Sequence, residues 1–445
     1  MRTRKVIAAT TCALLALGLA ACSSGSKSDD AGPPSSQNVR MVMFPGPQGD
    51  ALQKVVDNYN DTQGLKDNVQ VQTVMLSRAD TFGKEATQMA AKSSDIDLYF
   101  TASYIIGQQA PNLDPLTTVD ESAYFDSSIE GLTVNGKLMA QPLNVSNTFL
   151  IYRKDLIEKL LDDPAEHKRY EAISQEVLGK ALQPKAPDDW SWDDYTAAAA
   201  YFTKQYNPES PTKYGTALQA KNLSFNVMIW NDLLWSNGGN WIKNGKADLT
   251  SDAAEAAVNT YRTIYTKGLT SPDSSSAEFP ETQAALQNNN AAFALQWSTA
   301  FNSLNDPKAS PNIAGNMAIA RIPGKLHSNH AHTQGFALNK YSKNKDGALT
   351  WLKFLNSEAA MTEFAAAGGI PASPGVLEAN VANNPSFPYI ADQIANYGFN
   401  EPIFSGTFQA LGKLAASLSG AWVGEKPVKE ALKDANSELT ALLDQ

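Results

Sequence analysis

Strand and helix signals alternate at the start of the folded part of the chain, and this order constrains the fold more than any other feature. Val39 to Phe44 form an apolar run. A helical pattern follows, with one apolar face made of Leu52, Val55, Val56 and Tyr59. Alternating Val69 to Met75 and apolar Ile96 to Phe100 are then typical of two more strands. This β-α-β order predicts an α/β fold with a largely parallel sheet, whose ligands bind beyond the carboxyl ends of the strands. The loops after Phe44 and Phe100 are therefore expected to face a cleft.

Helix signals dominate the middle and the end of the chain. Ser191 is placed to cap a helix, and Asp194, at the third helical position, is placed to accept the reciprocal hydrogen bond of a capping box. Trp190 is expected to pack on Tyr195. We therefore interpret Trp190 and its neighbour Trp192 as structural residues and not as ligand contacts. Thr250 or Ser251 is expected to cap a second helix. Further helices are predicted over residues 165–182 (a charged surface helix), 348–367 (ending at Gly368-Gly369) and 428–443.

The first residues carry the features of an export signal. Arg2, Arg4 and Lys5 precede an apolar run from Val6 to Leu19, which is short for a transmembrane helix. Leu19-Ala-Ala-Cys22 resembles the lipobox of bacterial lipoproteins, which implies cleavage after residue 21 and lipidation of Cys22. The alternative is an ordinary secreted protein with an incidental cysteine.

Composition then limits the mature protein. Residues 22–37 are rich in Ser, Gly, Asp and Pro and predict a flexible tether. The second cysteine, Cys12, lies in the signal peptide, so the mature chain has no pair of cysteines for a disulfide. The formal charge of −10 becomes −13 when the three positive charges of residues 1–21 are lost, which disfavours nucleic acid and anionic lipid as partners. Roughly 400 remaining residues predict two domains.

Enzyme and cofactor motifs are mostly missing from the sequence. It contains no Gly-x-Ser-x-Gly, His-Glu-x-x-His or Gly-x-Gly-x-x-Gly. Gly131 to Lys137 matches a phosphate-binding loop, but Leu138 replaces the required Ser or Thr, so we predict a tight turn. His327, His330 and His332 are close enough in sequence to suggest a metal site, although surface histidines in a polar connection fit the sequence better. We therefore expect no cofactor and no metal, and leave the histidine cluster open.

Aromatic and amide side chains are frequent at predicted loop positions. Sugars present apolar C–H faces and a rim of hydroxyl groups, so a sugar site needs flat aromatic rings and fixed hydrogen-bonding groups. The side chains of this kind are Phe44, Tyr104, Trp230, Trp235, Trp241, Trp297, Asn144, Asn147, Asn226, Asn231 and Gln296.

An ordered set of segments resembles the extracellular solute-binding proteins of the maltose-binding type. The segments are 135–143 with 149–155, 190–194, 236–239, 283–297 and 348–355 followed by 368–371. The resemblance implies a periplasmic-binding-protein-like α/β fold with two discontinuous lobes, a hinge and a ligand cleft between the lobes. Residues 38–145 and 321–367 would form lobe 1, and residues 146–320 and 368–445 would form lobe 2. The chain would cross between them near Ser146, residues 320–323 and Gly368.

The same resemblance implies a function. The protein would be a monomeric, lipid-anchored binding protein on the extracytoplasmic face of the cell membrane, and not an enzyme. It would capture a mono- or oligosaccharide and deliver it to the permease and ATPase subunits of an ABC importer. The alternatives are a binding protein of this fold for a polyamine or organic acid, a surface glycoside hydrolase with two close carboxylates, and an adhesin or structural lipoprotein.

Ligand-binding positions follow from the resemblance residue by residue. Trp297 falls at a cleft tryptophan of the family, Ser146 at a carboxylate of the maltose binder, and Phe404 or Phe408 near its last aromatic residue. Tyr104 and Asn226 replace acidic residues, so maltose itself is in doubt. The expected ligand-binding set is Phe44, Tyr104, Ser146, Asn147, Asn226, Trp230, Trp297 and Phe408. Trp297 is expected to be a stacking surface for a sugar ring, and the alternative is a core tryptophan.

Overall fold

Fourteen strands and eighteen α-helices are present in residues 37–445, the part of the chain that the computed structural model describes. The predicted signal peptide (1–21), the lipidation site Cys22 and the tether (22–37) lie outside this part, apart from Gln37, which begins the first strand. The strands are β1 (Gln37–Met43), β2 (Val69–Met75), β3 (Leu98–Ala102), β4 (Leu113–Asp114), β5 (Thr133–Val134), β6 (Lys137–Leu138), β7 (Gln141–Arg153), β8 (Tyr214–Ala217), β9 (Ile242–Lys243), β10 (Lys246–Ala247), β11 (Ala291–Trp297), β12 (Met317–Ala320), β13 (Asn329–Asn339) and β14 (Gly398–Phe399).

The helices surround these strands. They are α1 (Pro47–Asp61), α2 (Gln63–Asp67), α3 (Arg78–Ala90), α4 (Ile106–Gln109), α5 (Asp126–Gly131), α6 (Lys154–Asp162), α7 (Pro164–Leu178), α8 (Trp192–Tyr201), α9 (Ser224–Ser236), α10 (Asp252–Thr266), α11 (Phe279–Gln287), α12 (Ala300–Asn305), α13 (Lys345–Leu355), α14 (Glu358–Ala366), α15 (Pro374–Ala379), α16 (Phe387–Tyr397), α17 (Thr407–Trp422) and α18 (Val428–Leu443).

The long strands β7 and β13 connect two parts of one sheet, whose order is β2-β1-β3-β13-β7-β11-β8. The first half of β7 pairs with β13, and its second half pairs with β11 and β12. β13 pairs with β7 near its start and with β3 near its end. The register shifts between Gln334 and Gly335, where a Cβ on Gly335 would lie only 2.1 Å from the carbonyl oxygen of Gln141. Only glycine allows the two strands to approach so closely at this point.

Two hydrophobic cores lie at the two ends of this sheet and define two α/β lobes. The core of the first lobe is built from β1, β2, β3, α1, α13 and α14. The core of the second lobe is built from α6 to α10, β11, α17 and α18. A third group of apolar side chains, including Val145, Phe149, Phe387 and Ile390, covers one face of the connecting strands. The predicted two-lobed α/β fold is therefore confirmed.

Local sequence signals are confirmed at several elements. β1 and β2 are parallel over their whole length, as the β-α-β pattern predicts. Ser191 and Asp194 form a complete capping box at the start of α8, and Trp190 lies 6.2 Å from Tyr195 between ring centroids. Residues 131–137 contain a tight turn between β5 and β6.

Two predicted helices are wrong in their extent. The helix predicted over residues 165–182 ends at Leu178, because Gly179 adopts a left-handed conformation (φ 70°), and it buries Tyr170, Ile173 and Val177 instead of lying wholly on the surface. Residues 348–367 form the two helices α13 and α14, because the Ser357 hydroxyl accepts a hydrogen bond from the Ala360 N–H and starts a new helix. Within residues 37–445 no helix is both long and apolar enough to cross a membrane.

Candidate functional site

The candidate site lies where β7 and β13 pass from one lobe to the other. Ser146 on β7 is opposite His332 on β13, and Thr148 is opposite Trp297 on β11. Side chains alternate along a strand, so Ser146 and Thr148 lie on one face and Asn147 on the other. The face that carries Ser146 and His332 is the one that meets aromatic side chains from both lobes.

Tyr104 is the centre of these aromatic contacts. It follows β3 and lies 5.2 Å from His332, measured between ring centroids. Phe82 on α3 lies 6.0 Å from Tyr104, Phe225 on α9 lies 6.1 Å from it, and Phe408 on α17 lies 6.0 Å from it in a stacked geometry. Phe82 belongs to the first lobe and Phe225 and Phe408 belong to the second, so Tyr104 contacts rings from both.

Trp297 ends β11 on the other side of His332. Its ring lies edge-on to His332 and His330, with centroid distances of 5.4 Å to each, and 8% of its surface is exposed. The backbone N–H of Trp297 donates to Oε1 of Gln296, and Gln219 donates to the same oxygen. These bonds hold the end of β11 in place. We call Phe82, Tyr104, Phe225, Trp297, His332 and Phe408 the cleft cluster.

The two lobes are in contact at the cleft cluster in this structure. Phe82 and Phe408 are 5.4 Å apart between ring centroids, although they come from different lobes. Gly107 on α4 lies so close to the segment before α17 that a Cβ would be 2.4 Å from the carbonyl oxygen of Phe404. The absence of a side chain at Gly107 therefore allows this approach of the lobes.

Polar side chains adjoin the cleft cluster at His332. Nε2 of Gln334 is 3.3 Å from Nε2 of His332, and Asn144 donates to Oε1 of Gln334. The side-chain oxygen of Asn144 also accepts a hydrogen bond from the backbone N–H of Ile370, in the segment between α14 and α15. Asn144 and Gln334 thus connect the cleft cluster to β7, β13 and this segment.

A buried acidic group lies beneath the cleft cluster. Oδ1 of Asp232 on α9 accepts hydrogen bonds from the Thr148 hydroxyl (2.8 Å) and from the backbone N–H of His330 (2.6 Å). Burial raises the pKa of Asp232 well above its usual range, and the neighbouring negative charge of Glu401 adds to the rise. Because Thr148 and His330 belong to the two long connecting strands, Asp232 ties α9 to both of them.

Glu401 completes a second buried network. Its carboxylate contacts Nε2 of His330 at 2.9 Å and accepts a hydrogen bond from Asn231, and Trp241 donates to the Asn231 side chain. The side chains of His330 and Glu401 are fully buried. Both carboxylates below the cleft are therefore enclosed by protein groups.

Four residues of the ligand-binding set predicted from sequence are brought together at this site. Tyr104, Trp297 and Phe408 belong to the cleft cluster, and Ser146 is the strand partner of His332. Asn147 lies next to Ser146 on the opposite face of β7. It is fully buried, and neither side-chain amide atom has a hydrogen-bond partner among the described residues.

Three other residues of that set are not members of the cleft cluster. Phe44 packs on Phe100 in the core of the first lobe, at 4.7 Å. Asn226 donates to the carbonyl oxygens of Lys221 and Ala277. Trp230 is fully buried in the core of the second lobe, where Trp422 is its ring partner at 6.4 Å.

The prediction of surface histidines is wrong for His330 and His332. They are 0% and 5% exposed and lie on β13, which was predicted to be a polar connection. The alternation of His330, His332 and Gln334 along residues 329–339 is the signal that could have identified a strand with a polar face. In residues 37–445 no group of three or more His, Cys, Asp or Glu side chains is arranged to hold a metal ion.

Several cavities of about 290 to 420 Å³ lie outside the cleft cluster. One of about 380 Å³ is bounded by β8 and α11, with Thr270, Ser274 and Asn288 in its wall. Another of about 290 Å³ lies in the first lobe beside Glu85 and Tyr99. Neither contains a residue of the cleft cluster, so the meeting point of the lobes, and not cavity size, identifies the candidate site.

Comparison with known proteins agrees with this geometry. A sequence model described as bacterial extracellular solute-binding protein matches residues 45–362. The chain belongs to this family.

Individual relatives are distant in sequence. A probable ABC transporter-binding protein of Deinococcus radiodurans is 26% identical over 280 residues, which are 60% of this chain and 60% of that relative. The maltodextrin-binding protein of Bacillus subtilis is 23% identical and aligns with 80% of this chain and 77% of its own. The solved structure of the T. maritima protein MalE3 with bound maltose has a TM-score of 0.76 and 20% identity, covering 91% of this chain and 99% of that one. These likenesses support the two-lobed fold.

Proposed function

We propose that this protein is the carbohydrate-binding component of an ABC importer, and that it captures a mono- or oligosaccharide in the cleft between its lobes. The observation that carries the proposal is the cleft cluster, in which rings from both lobes meet at Tyr104. The names of two relatives support it, since one is a maltodextrin-binding protein and the other was solved with maltose.

The rings of the cleft cluster and the polar groups beside them suit a sugar. Aromatic rings stack on the apolar C–H faces of a sugar, and hydroxyl groups exchange hydrogen bonds with polar side chains. We assign direct ligand contact to Tyr104, Ser146, Trp297 and Phe408. We place Phe44, Asn147, Asn226 and Trp230 behind them, where they support the segments that carry the contact residues.

Hydrolysis of a sugar needs a pair of accessible carboxylates, one on each side of the scissile bond. Asp232 and Glu401 are 0% and 2% exposed and already bonded to protein groups. Their enclosure favours binding without catalysis.

We further propose that ligand binding favours the closed arrangement of the lobes. A ligand that contacts both lobes gains contacts in the closed form that the open form cannot offer, so it shifts the population toward closure. Residues 38–145 with 321–367 and residues 146–320 with 368–445 are the proposed moving bodies, and β7, β13 and the segment near Gly368 form the hinge.

The location and the partners follow from the proposed transport role. A signal peptide over residues 1–21 and a lipid on Cys22 would hold the monomeric protein on the extracytoplasmic face of the cell membrane. The permease and ATPase subunits would be separate chains, reached by way of the flexible tether.

A carbohydrate panel tests the proposal. Purified protein is heated with individual mono- and oligosaccharides, and with polyamines and organic acids as controls. A ligand that binds only the folded state raises Tm, by an amount equivalent to about 2.7 kcal/mol at a hundred times its Kd. A rise with a polyamine or an organic acid and with no sugar would reject the carbohydrate assignment.

A further inference from the structure

His330 is a fully buried histidine whose ring contacts Trp235, Trp297 and Glu401. Trp235 on α9 stacks on it, with 9° between the ring planes and 5.9 Å between the centroids. Trp297 meets it at 86°, with the centroids 5.4 Å apart. Both carboxylate oxygens of Glu401 lie within hydrogen-bonding distance of Nε2, at 2.9 and 3.0 Å. Of these three contacts, the one with Glu401 is a hydrogen bond and the other two are ring contacts.

The hydrogen bond fixes a position that the ring contacts leave open. Stacking on Trp235 sets the plane of the His330 ring but allows the ring to slide within that plane. The bond between Nε2 and Glu401 restricts this sliding, because the strength of a hydrogen bond depends on both distance and angle. Trp297 packs on the ring that is held in this way. A shift of His330 would therefore change the surface against which the indole of Trp297 rests.

Glu401 is itself held by a chain of hydrogen bonds. The indole N–H of Trp241 donates to the side-chain oxygen of Asn231, and the amide nitrogen of Asn231 donates to Oε1 of Glu401 at 3.0 Å. An indole nitrogen can only donate, so it determines which way the Asn231 amide points. The chain from Trp241 through Asn231 and Glu401 to His330 thus ends at the ring on which Trp297 packs.

Stability is a weak explanation for these buried polar groups. The side chains of His330 and Glu401 are fully buried, and the free energy lost when two ionisable groups leave water can exceed what their pairing regains. Apolar side chains of similar volume would fill the same space without this cost. What the hydrogen-bonded pair adds is a defined geometry, which a binding site needs in the groups behind its contact residues.

Building on the function proposed above, we propose that Glu401 is a positioning residue of the sugar site. Through His330 it fixes the orientation of the Trp297 ring, and it acts without touching the ligand. Loss of the Glu401 carboxylate should therefore disturb Trp297 and weaken sugar binding, although the stacking ring itself is still present.

Fluorine NMR tests the orientation of Trp297 without a ligand. The full chain contains eight tryptophans, so labelling with 5-fluorotryptophan gives eight resonances, and Trp297→Phe assigns the one from Trp297. Glu401→Leu should shift or broaden this resonance and leave that of Trp351, in the first lobe, unchanged. Glu401→Gln keeps one acceptor oxygen and should restore the resonance in part. If Glu401→Leu fails to fold, Glu401→Gln should still shift the Trp297 resonance and not that of Trp351.

Asp97→Leu is the matched control. Asp97 is a buried carboxylate of the first lobe, and it accepts hydrogen bonds from the backbone N–H of Arg40 and from the Ser342 hydroxyl. Its loss should lower Tm, as the loss of Glu401 does, and leave the Trp297 resonance unchanged. An unchanged Trp297 resonance in Glu401→Leu, or an equal shift of all eight resonances, overturns the positioning role.

Sugar titration tests the consequence for binding. Calorimetry with glucose, galactose, xylose and maltose first identifies a sugar that binds the unsubstituted protein. Glu401→Leu should weaken its affinity at least fivefold, but less than twofold in Trp297→Ala, because a residue that acts through Trp297 then has no ring to position. Losses that multiply in the double variant overturn this coupling. Binding of none of these sugars counts against the proposed function, whereas the Trp297 resonance decides the positioning role independently.

Discussion

Replacing Trp297 by alanine should cost both stability and ligand affinity. Trp297 was predicted from sequence to be a stacking surface in the cleft, with a core tryptophan as the alternative, and we propose that it serves both roles. Only 8% of its surface is exposed, and its ring contacts His330 and His332 on a connecting strand.

The expected loss of stability in Trp297→Ala follows from the burial of the tryptophan side chain. A buried tryptophan covers roughly 200 Å² of apolar surface, which corresponds to about 5 kcal/mol at about 25 cal/mol per Å². Measured Trp→Ala losses in cores are about 3–5 kcal/mol. With an unfolding entropy near 2.1 cal/mol/K per residue over roughly 400 residues, a loss of about 4 kcal/mol lowers Tm by about 5 °C. Loss of the stacking contact should weaken sugar binding at least tenfold, or about 1.4 kcal/mol.

Thermal unfolding and sugar titration of the same protein samples measure the two effects. Trp351→Ala is the matched control, since Trp351 is fully buried in the first lobe against Tyr59 and Phe354. It should lower Tm by a similar amount and leave affinity unchanged. Trp297→Phe retains a ring and should recover part of both losses. An unchanged Kd for Trp297→Ala, with the expected fall in Tm, would refute the stacking role.

Three further predictions follow from the anchor, the hinge and the buried acid. Cys22→Ala should release the protein from the membrane fraction, and a variant that stays with washed membranes would argue against lipidation. Saturating cognate sugar should reduce the radius of gyration in small-angle scattering, whereas an unchanged profile would indicate a rigid binder. Because burial raises the pKa of Asp232, stability from its bound proton is complete below the pKa of the unfolded chain and lost as pH rises through the folded pKa. Asp232→Asn keeps an acceptor for Thr148 and should flatten the fall of Tm as pH rises above the pKa of an unfolded aspartate, about 3.9, and an equal slope in both proteins would contradict this role.

Local sequence signals were sufficient for much of the fold. Alternation predicted β2 because Val69 and Val71 are buried on one of its faces. The capping box at Ser191 predicted the start of α8 because it involves residues only three positions apart. The break between α13 and α14 was missed because apolar residues continue at helical spacing across Asn356 and Ser357. There the hydroxyl of Ser357 caps the second helix, and hydrophobic periodicity does not report this bond.

The strand β13 shows a second reason why a sequence pattern failed to predict an element. It is buried along its whole length, yet its first half carries Asn329, His330, His332 and Gln334. Sequence patterns identify buried strands by their apolar residues, so a buried strand that lines a polar cleft reads as a loop. The polar side chains that place this strand in the candidate site are also the reason why its sequence pattern did not predict a strand.

The aromatic residues of the cleft also differ in whether their sequence positions suggested a role in the site. Tyr104 and Trp297 follow the ends of strands, where an α/β fold exposes its ligand site, so their positions alone suggested a role. Phe82 and Phe225 lie on helices, where an apolar residue is expected to face the core, and no sequence pattern distinguishes a ring that meets the opposite lobe from one that packs inside its own. Phe225 packs with Tyr104 at the second core, whereas Phe82 packs against both cores. The contact between Phe82 and Tyr104 therefore depends on how the lobes meet, and we propose that this changes when a ligand binds.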